Sequence, residues 1–192
     1  EKIDYKSAKD NIKKSLEASV KKMMVADVEV GCFLSGGVDS SLVSLLMQKN
    51  SKKKIRTFTV GFDEKEYDES SYAKEIADSI GTNHHQISVN SNDMFEQIES
   101  MINIFDEPFA DSSFIPTYLI SKLASSHVKV VLSGDGGDEM FLGYNRYSFA
   151  KKILYLKRKS PESLRLFLSK MLKGIPSNFF DILSQPFQKM LG

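Results

Sequence analysis

Ser35-Gly36-Gly37-Val38-Asp39-Ser40-Ser41 is the stretch on which the reading of this chain turns. Ahead of it, Val28 to Leu34 is short, apolar and partly β-branched, the composition of a buried strand. Behind it, Leu42-Val43-Ser44-Leu45-Leu46-Met47 carries apolar residues at helical spacing. The motif is therefore a strand-to-helix turn, where unpaired backbone N–H groups and the helix dipole favour an anion. Gly36 and Gly37 have no Cβ, so the backbone can curl tightly and approach a phosphate closely. Ser35, Ser40 and Ser41 add hydroxyl donors. Asp39 is the informative residue: a carboxylate beside a phosphate is repulsive unless a cation lies between them, and Mg²⁺, a hard ion that takes carboxylate and phosphate oxygens together, meets that need. The ending is not the Gly-Lys-Ser/Thr of the common P-loop.

The 192 residues suit one domain with a proper core. The formal net charge of +1, with both signs mixed along the chain, gives no stripe for nucleic acid and no membrane-surface face. One cysteine excludes an internal disulfide framework and fits a reducing cytoplasm. No run approaches the roughly 18 apolar residues of a membrane span. The first residues, Glu1-Lys2-Ile3-Asp4-Tyr5, include neither a signal-peptide core nor an initiator Met, which reads as a piece excised from a longer protein.

Taken in order, residues from about Lys6 to Val25 predict a helix with Ile12, Leu16, Val20, Met23 and Met24 on its apolar face. A second strand is expected over Ile55–Val60, ended by Gly61-Phe62-Asp63. A helix opens at Tyr67-Asp68-Glu69-Ser70 and stops at Gly81. His84 to Val89 predicts a third strand, whose adjacent histidines point to opposite faces and so do not chelate one metal. A helix from Ser91 or Asn92 to about Phe105 and an acidic loop, Asp106 to Ser113, follow. Ile115–Ser125 predicts a helix with Pro116 in its first turn, and Val128–Leu132 a fourth strand. From Tyr144 the chain turns helical and amphipathic, with breaks at Ser160-Pro161 and Gly174-Ile175-Pro176; a helical extension packed on the sheet is expected.

The alternation of strands and helices with short links implies an α/β fold, an open parallel sheet with helices on both faces and right-handed crossovers. Residues 1–147 form its core and 148–192 a helical extension. Two strand ends echo one another: Phe33-Leu34-Ser35-Gly36-Gly37 and Val131-Leu132-Ser133-Gly134-Asp135. If strands one and four flank the point where strand order reverses, both loops face one crevice, and Asp39 and Asp138 can hold one Mg²⁺ from opposite sides.

The first motif resembles the pyrophosphate loop of the ATP pyrophosphatases, the adenine nucleotide alpha hydrolase-like enzymes that cleave ATP between its α and β phosphates. With Tyr67-Asp68-Glu69, Asp106-Glu107-Pro108, Asp111, Ile115-Pro116-Thr117-Tyr118 and above all Leu132 to Tyr147, the chain resembles the synthetase domain of glutamine-dependent asparagine synthetases over almost its whole length. The resemblance implies that the side-chain carboxylate of aspartate attacks the α-phosphate of ATP and expels pyrophosphate, and that ammonia then displaces AMP to give asparagine. It implies that Ser35, Gly36, Gly37, Ser40 and Ser41 hold the pyrophosphate. Phe33, Leu34 and the backbone of Val60 would line the adenosine site, and Ser133 and Gly134 would meet the nucleotide near its α-phosphate. Asp39 and Asp138 match the Mg²⁺ ligands. Ammonia would come from an N-terminal glutaminase domain, and a homodimer is compatible with the family.

This sequence departs from the family in carrying Asp135 where many members have Glu, with a carboxylate one carbon shorter for the role of orienting or deprotonating ammonia. The glutaminase domain, and the later segment with the transition-state lysine, lie outside the 192 residues, so a fragment that binds nucleotide without making asparagine is expected. Two other readings stay open. One is an amidotransferase or related ATP pyrophosphatase acting on another carboxylate, of the surface-polysaccharide or β-lactam synthetase type. The other is a non-catalytic nucleotide-binding module.

Overall fold

The computed structural model describes residues 3–64, 68–90, 104, 107, 111 and 113–163. Four strands, β1 (Val30–Phe33), β2 (Arg56–Phe62), β3 (Asn83–Val89) and β4 (Val130–Leu132), form one sheet in the order β3-β2-β1-β4. Every pairing is parallel. Helices α1 (Tyr5–Met23), α2 (Val38–Asn50), α3 (Ser70–Ile80) and α4 (Phe114–Ser125) lie between or before the strands. Residues to Asp135 form one compact unit, and the chain from Gly136 begins a second. In the second, a short α5 (Gly137–Phe141) precedes α6 (Asn145–Lys159).

The alternation of side chains along β1 divides the core. Cys32 faces Val20 of α1 and Leu46 and Met47 of α2, and Leu34 faces Ala73 and Ala77 of α3. Phe33 faces the other way, into a cluster of Phe58, Ala124 and Val128. Thus α1, α2 and α3 cover one face and α4 the other. The chain steps from β1 to β3 on one face and returns to β4 on the other, so both crossovers keep one hand. The order reverses between β1 and β4, as the two-loop reading requires.

Boundaries moved where tertiary contacts outweighed local signals. β2 runs through Gly61 and Phe62, which pair with Ser88 and Val89. Gly61 reads as a break, yet its missing Cβ is a packing requirement: a methyl there would sit 2.9 Å from Ser70 Oγ at the start of α3. On α1, Leu16, Val20 and Met24 meet the core, but Ile12 and Met23 are 42% and 61% exposed, because the helix touches the core along a narrow seam. α3 stops as expected at Gly81, whose φ of 82° lets its N–H reach Ala77 O. The helix expected from Ser91 or Asn92, Tyr67, most of the Asp106–Ser113 loop and the chain from Leu164 onward lie outside the described residues. Among the described residues no helix is long and apolar enough to cross a membrane.

Candidate functional site

The loop after β1 is braced from within. Ser40, 7% exposed, sits at its centre: its Oγ takes the Ser35 N–H at 3.2 Å, meets Ser35 Oγ at 2.9 Å and donates to Gly37 O at 3.3 Å. Ser35 Oγ in turn accepts the Gly37 N–H at 3.3 Å, and Ser41 Oγ donates to Gly37 O at 2.6 Å. Gly37 caps α2 in extended conformation with no side-chain hydrogen bond, so the first-turn N–H groups stay available in front of the helix. Such a bare helix start, with Ser35 beside it, offers donors and a positive dipole end to an anion.

Two neighbours hold the loop from outside. Gly36 turns through φ +85°, and a Cβ there would lie 3.1 Å from both Ala73 N and Tyr72 Cβ at the start of α3. Gly134, after β4, is tighter: a Cβ would stand 2.6 Å from Ser40 N and 3.0 Å from the Asp39 carbonyl carbon. The echo in the sequence is therefore a contact in space, with one glycine loop laid on the first turn of the helix that the other begins. Sequence reasoning missed the support behind them. Thr59 donates its hydroxyl to Leu34 O. The Asp68 carboxylate takes N–H groups of both Phe62 and Ser70, which joins the end of β2 to the start of α3; the Ser70 side chain first, then these N–H groups, hold this carboxyl below its usual range. The signals were an aspartate two residues before a helix and a glycine inside a strand.

Leu34 is 1% exposed and packed on Ala73 and Ala77, so its side chain is floor beneath the loop rather than a surface open to a ligand. Phe33 is half-buried against the α4 cluster. Val60 lies two residues inside β2, paired with Ile87. β1 pairing ends at Phe58, whose carbonyl accepts the Leu34 N–H at 2.9 Å. Backbone groups alternate sides along a parallel strand, so those of Val60 point to the same edge, beyond the end of β1. A polar backbone edge thus lies beside the glycine loop.

Among the carboxylates, Asp39 stands in the first turn of α2, and Ser133 Oγ donates to Asp135 at 2.8 Å. That bond draws the already short Asp135 side chain back along its own loop. Asp138 lies in α5, in the second unit. Neither Asp39 nor Asp138 has an ion pair or hydrogen bond to its carboxylate among the described residues. Nor do the described residues gather three or more His, Cys, Asp or Glu as a metal cage. Free hard-oxygen donors without a cage fit Mg²⁺, which keeps phosphate and water oxygens for most of its shell. Asp111 serves structure: its carboxylate accepts the Ser113 N–H at 2.9 Å before α4.

Elsewhere, a hollow of about 680 Å³ opens at the amino ends of the strands, lined by Met24, Glu29, Lys53, Arg56 and Asn83 among others. Its arginine is already paired with Glu29 at 3.0 Å. The C-terminal ends of α1 and α2 lie there, at Met24 and Ser51, and favour cations over a phosphate chain. The histidines do face opposite ways: His84 meets Thr57 Oγ1 at 3.0 Å, whereas His85 stacks on Phe58 and lies 4.0 Å from the His127 ring. Cys32 is fully buried, and burial pushes its thiol up to about 12.

Against known proteins, the family described as asparagine synthase matches residues 11–179. A Methanocaldococcus jannaschii protein provisionally named asparagine synthetase [glutamine-hydrolyzing] 2 is 43% identical over 169 residues, covering 88% of this chain and 32% of that protein. Asparagine synthetase [glutamine-hydrolyzing] 1 of Bacillus subtilis is 33% identical, over 80% of this chain and 26% of its own length. The Gallus gallus asparagine synthetase [glutamine-hydrolyzing] is 32% identical, over 94% and 32%. The chain spans about a quarter to a third of the length of these relatives. Among solved structures, the glutamine-dependent NAD⁺ synthetase of Acinetobacter baumannii in complex with adenosine diphosphate is similar in fold, with TM-score 0.50 and 18% identity over 69% of this chain and 26% of that one. A match over residues 11–179, on a parallel sheet whose two glycine loops meet at its switch point, places this chain in the asparagine synthase family.

Proposed function

We propose that this chain is the ATP-activating part of a glutamine-dependent asparagine synthetase. It binds ATP at the carboxyl edge of the sheet, and the side-chain carboxylate of aspartate attacks the α-phosphate. Pyrophosphate leaves, and ammonia drawn from glutamine elsewhere in the protein displaces AMP to give asparagine. The observation that carries this reading is the bare start of α2 at Gly37, clamped by Gly36 on one side and Gly134 on the other.

In this reading the N–H groups of the first turn of α2 receive the β and γ phosphates, and the hydroxyls of Ser35 and Ser41 exchange their bonds within the loop for phosphate oxygens. Ser40, already committed to three partners within the loop, holds its shape. The Val60 backbone edge recognises the adenine, with Phe33 beside it and Leu34 as floor. Ser133 and Gly134 approach the α-phosphate. Asp39, and separately Asp138 in the second unit, are the candidate Mg²⁺ ligands, and the ion would supply positive charge for the departing pyrophosphate. Preorganised donors matter most where that charge grows, and loss of one typically costs about 10²–10³ in rate. Asp135 stands nearest to the role of steering ammonia; its bond to Ser133 leaves it an acceptor with a fixed direction.

The test measures AMP and pyrophosphate released from ATP·Mg²⁺ by the intact protein, with ammonium and a panel of carboxylates. Asparagine and AMP formed together with aspartate support the reading. AMP release with a different carboxylate reassigns the acceptor. Tight ATP binding with no AMP from any acceptor overturns the enzymatic reading in favour of a nucleotide-binding module.

A further inference from the structure

Asp138 is held by an unusual turn within its own unit. α5 ends at Leu142, a non-glycine residue at φ 58°, in the left-handed region that side chains rarely adopt. The turn folds the chain back on the helix. The N–H groups of both Leu142 and Gly143 reach Asp138 O, the latter at 3.0 Å. Gly143 is thereby laid directly on the Asp138 side chain: a Cβ there would collide with Oδ1 and stand 2.9 Å from Cγ and 3.2 Å from Cα. The next residue clasps the neighbouring acid, with the Tyr144 hydroxyl donating to Glu139 Oε1 at 2.6 Å. The Arg146 guanidinium lies over the Tyr144 ring, its Cζ 3.9 Å from the centroid.

We propose that Gly143 is a positioning residue for Asp138, and that the Leu142–Tyr144 turn exists to fix the direction of that one carboxylate. The proposal rests on the reading above, in which Asp138 is a Mg²⁺ ligand. The physical reason is steric. An Asp side chain on a short exposed helix has free rotamers, and a metal ligand that must be immobilised on binding loses affinity. A backbone laid against the carboxylate removes most of those rotamers beforehand, and only a glycine comes near enough to do so. The left-handed Leu142 is the local strain that makes the approach possible. Tyr144 and Glu139 close the turn so that Gly143 cannot swing away.

The test is a double-mutant cycle read by Mn²⁺ paramagnetic resonance titration with ATP in the full chain, with AMP binding without metal and thermal midpoint followed alongside. Gly143→Ala weakens Mn²⁺ affinity about 10- to 100-fold, the range for partners that orient a ligand, while metal-free AMP binding is unchanged. In the Asp138→Ala background, where only the 3.2 Å contact with the main chain at Cα remains, Gly143→Ala has no further effect on metal and a much smaller one on the midpoint. Should Gly143→Ala alone fail to fold, folding of the double variant supports the proposal just as well. Native Mn²⁺ affinity in Gly143→Ala overturns it, and so does an equal destabilisation of both backgrounds. Native metal affinity in Asp138→Ala instead overturns the assignment of Asp138 as a ligand, and leaves the steric coupling to be judged on the midpoints alone.

Discussion

The two glycine loops at the carboxyl edge share a sequence pattern and do different work. The loop after β1 is braced chiefly from within: its hydroxyls bond its own backbone, and its glycine at φ +85° makes the turn. The loop after β4 has one internal side-chain bond, Ser133 to Asp135, and takes its position from the Gly134 contact with the start of α2. The first is a cradle and the second a docking surface for it. A substitution in the first should therefore fail through conformation, and one in the second through displacement of a neighbour.

Gly134→Ala puts that distinction to its hardest test. Its methyl would meet main chain, at Ser40 N, which cannot rotate aside. Overpacking of this kind costs typically 1–3 kcal/mol, so about 2 kcal/mol of stability should go. ATP affinity should fall with it, because the first turn of α2 has to shift. Calorimetry showing native ATP affinity would break the idea that the second loop docks on the first turn of α2. Gly36→Ala comes next. It meets the left-handed penalty of about 1–2 kcal/mol together with the 3.1 Å contact on Ala73 N. Its signature is loss of phosphate-dependent binding, with AMP held more nearly as in the native chain. Gly136→Ala sharpens the comparison: it has φ +87° but nothing within 4 Å of a new Cβ. Strain alone, about 1 kcal/mol, should lower the unfolding midpoint and leave AMP binding intact.

Smaller effects should appear away from the loops. Burial depresses the pKa of His84 and of His85, the latter helped by His127 and Arg56 facing it and opposed by Glu29. A folded pKa below the ordinary value means that the native state binds fewer protons than the unfolded chain. Their stabilisation is then complete above about pH 6.5, the unfolded reference, and is lost as pH falls from there through the lowered folded values. Denaturation midpoints at neutral and mildly acid pH should show the drop, and His85→Gln should shrink it. An unchanged profile in that variant would place the acid sensitivity elsewhere, the loops included. Least of all should happen at Cys32: buried just before the cradle, it should resist a mild thiol reagent in native protein and react at once after denaturation.

The cradle was legible in the sequence because its logic is local. Glycine conformation, serine hydroxyls and a helix start act over a few bonds, so Ser35 to Ser41 carries its own geometry wherever the strand and helix form. The strand order could be inferred conditionally from the alternation of elements, since parallel crossovers allow few arrangements. What no local rule reaches is contact between segments far apart in the chain. Gly61 looked like a strand end and is a strand interior, because α3 comes back to lie on it. The resemblance set Leu34 beside the adenosine without saying how; its side chain packs in the core, because Ala73 and Ala77 are small enough to let α3 close over it. Gly134 looked like half of an echo, and only the sheet's reversal between β1 and β4 lays it on the backbone of Ser40. Sequence alone determined the chemistry each loop offers, since backbone and side-chain types act at short range. The tertiary structure decided which glycines are obligatory, because the atom a missing Cβ would strike belongs in these cases to a residue more than eight positions away.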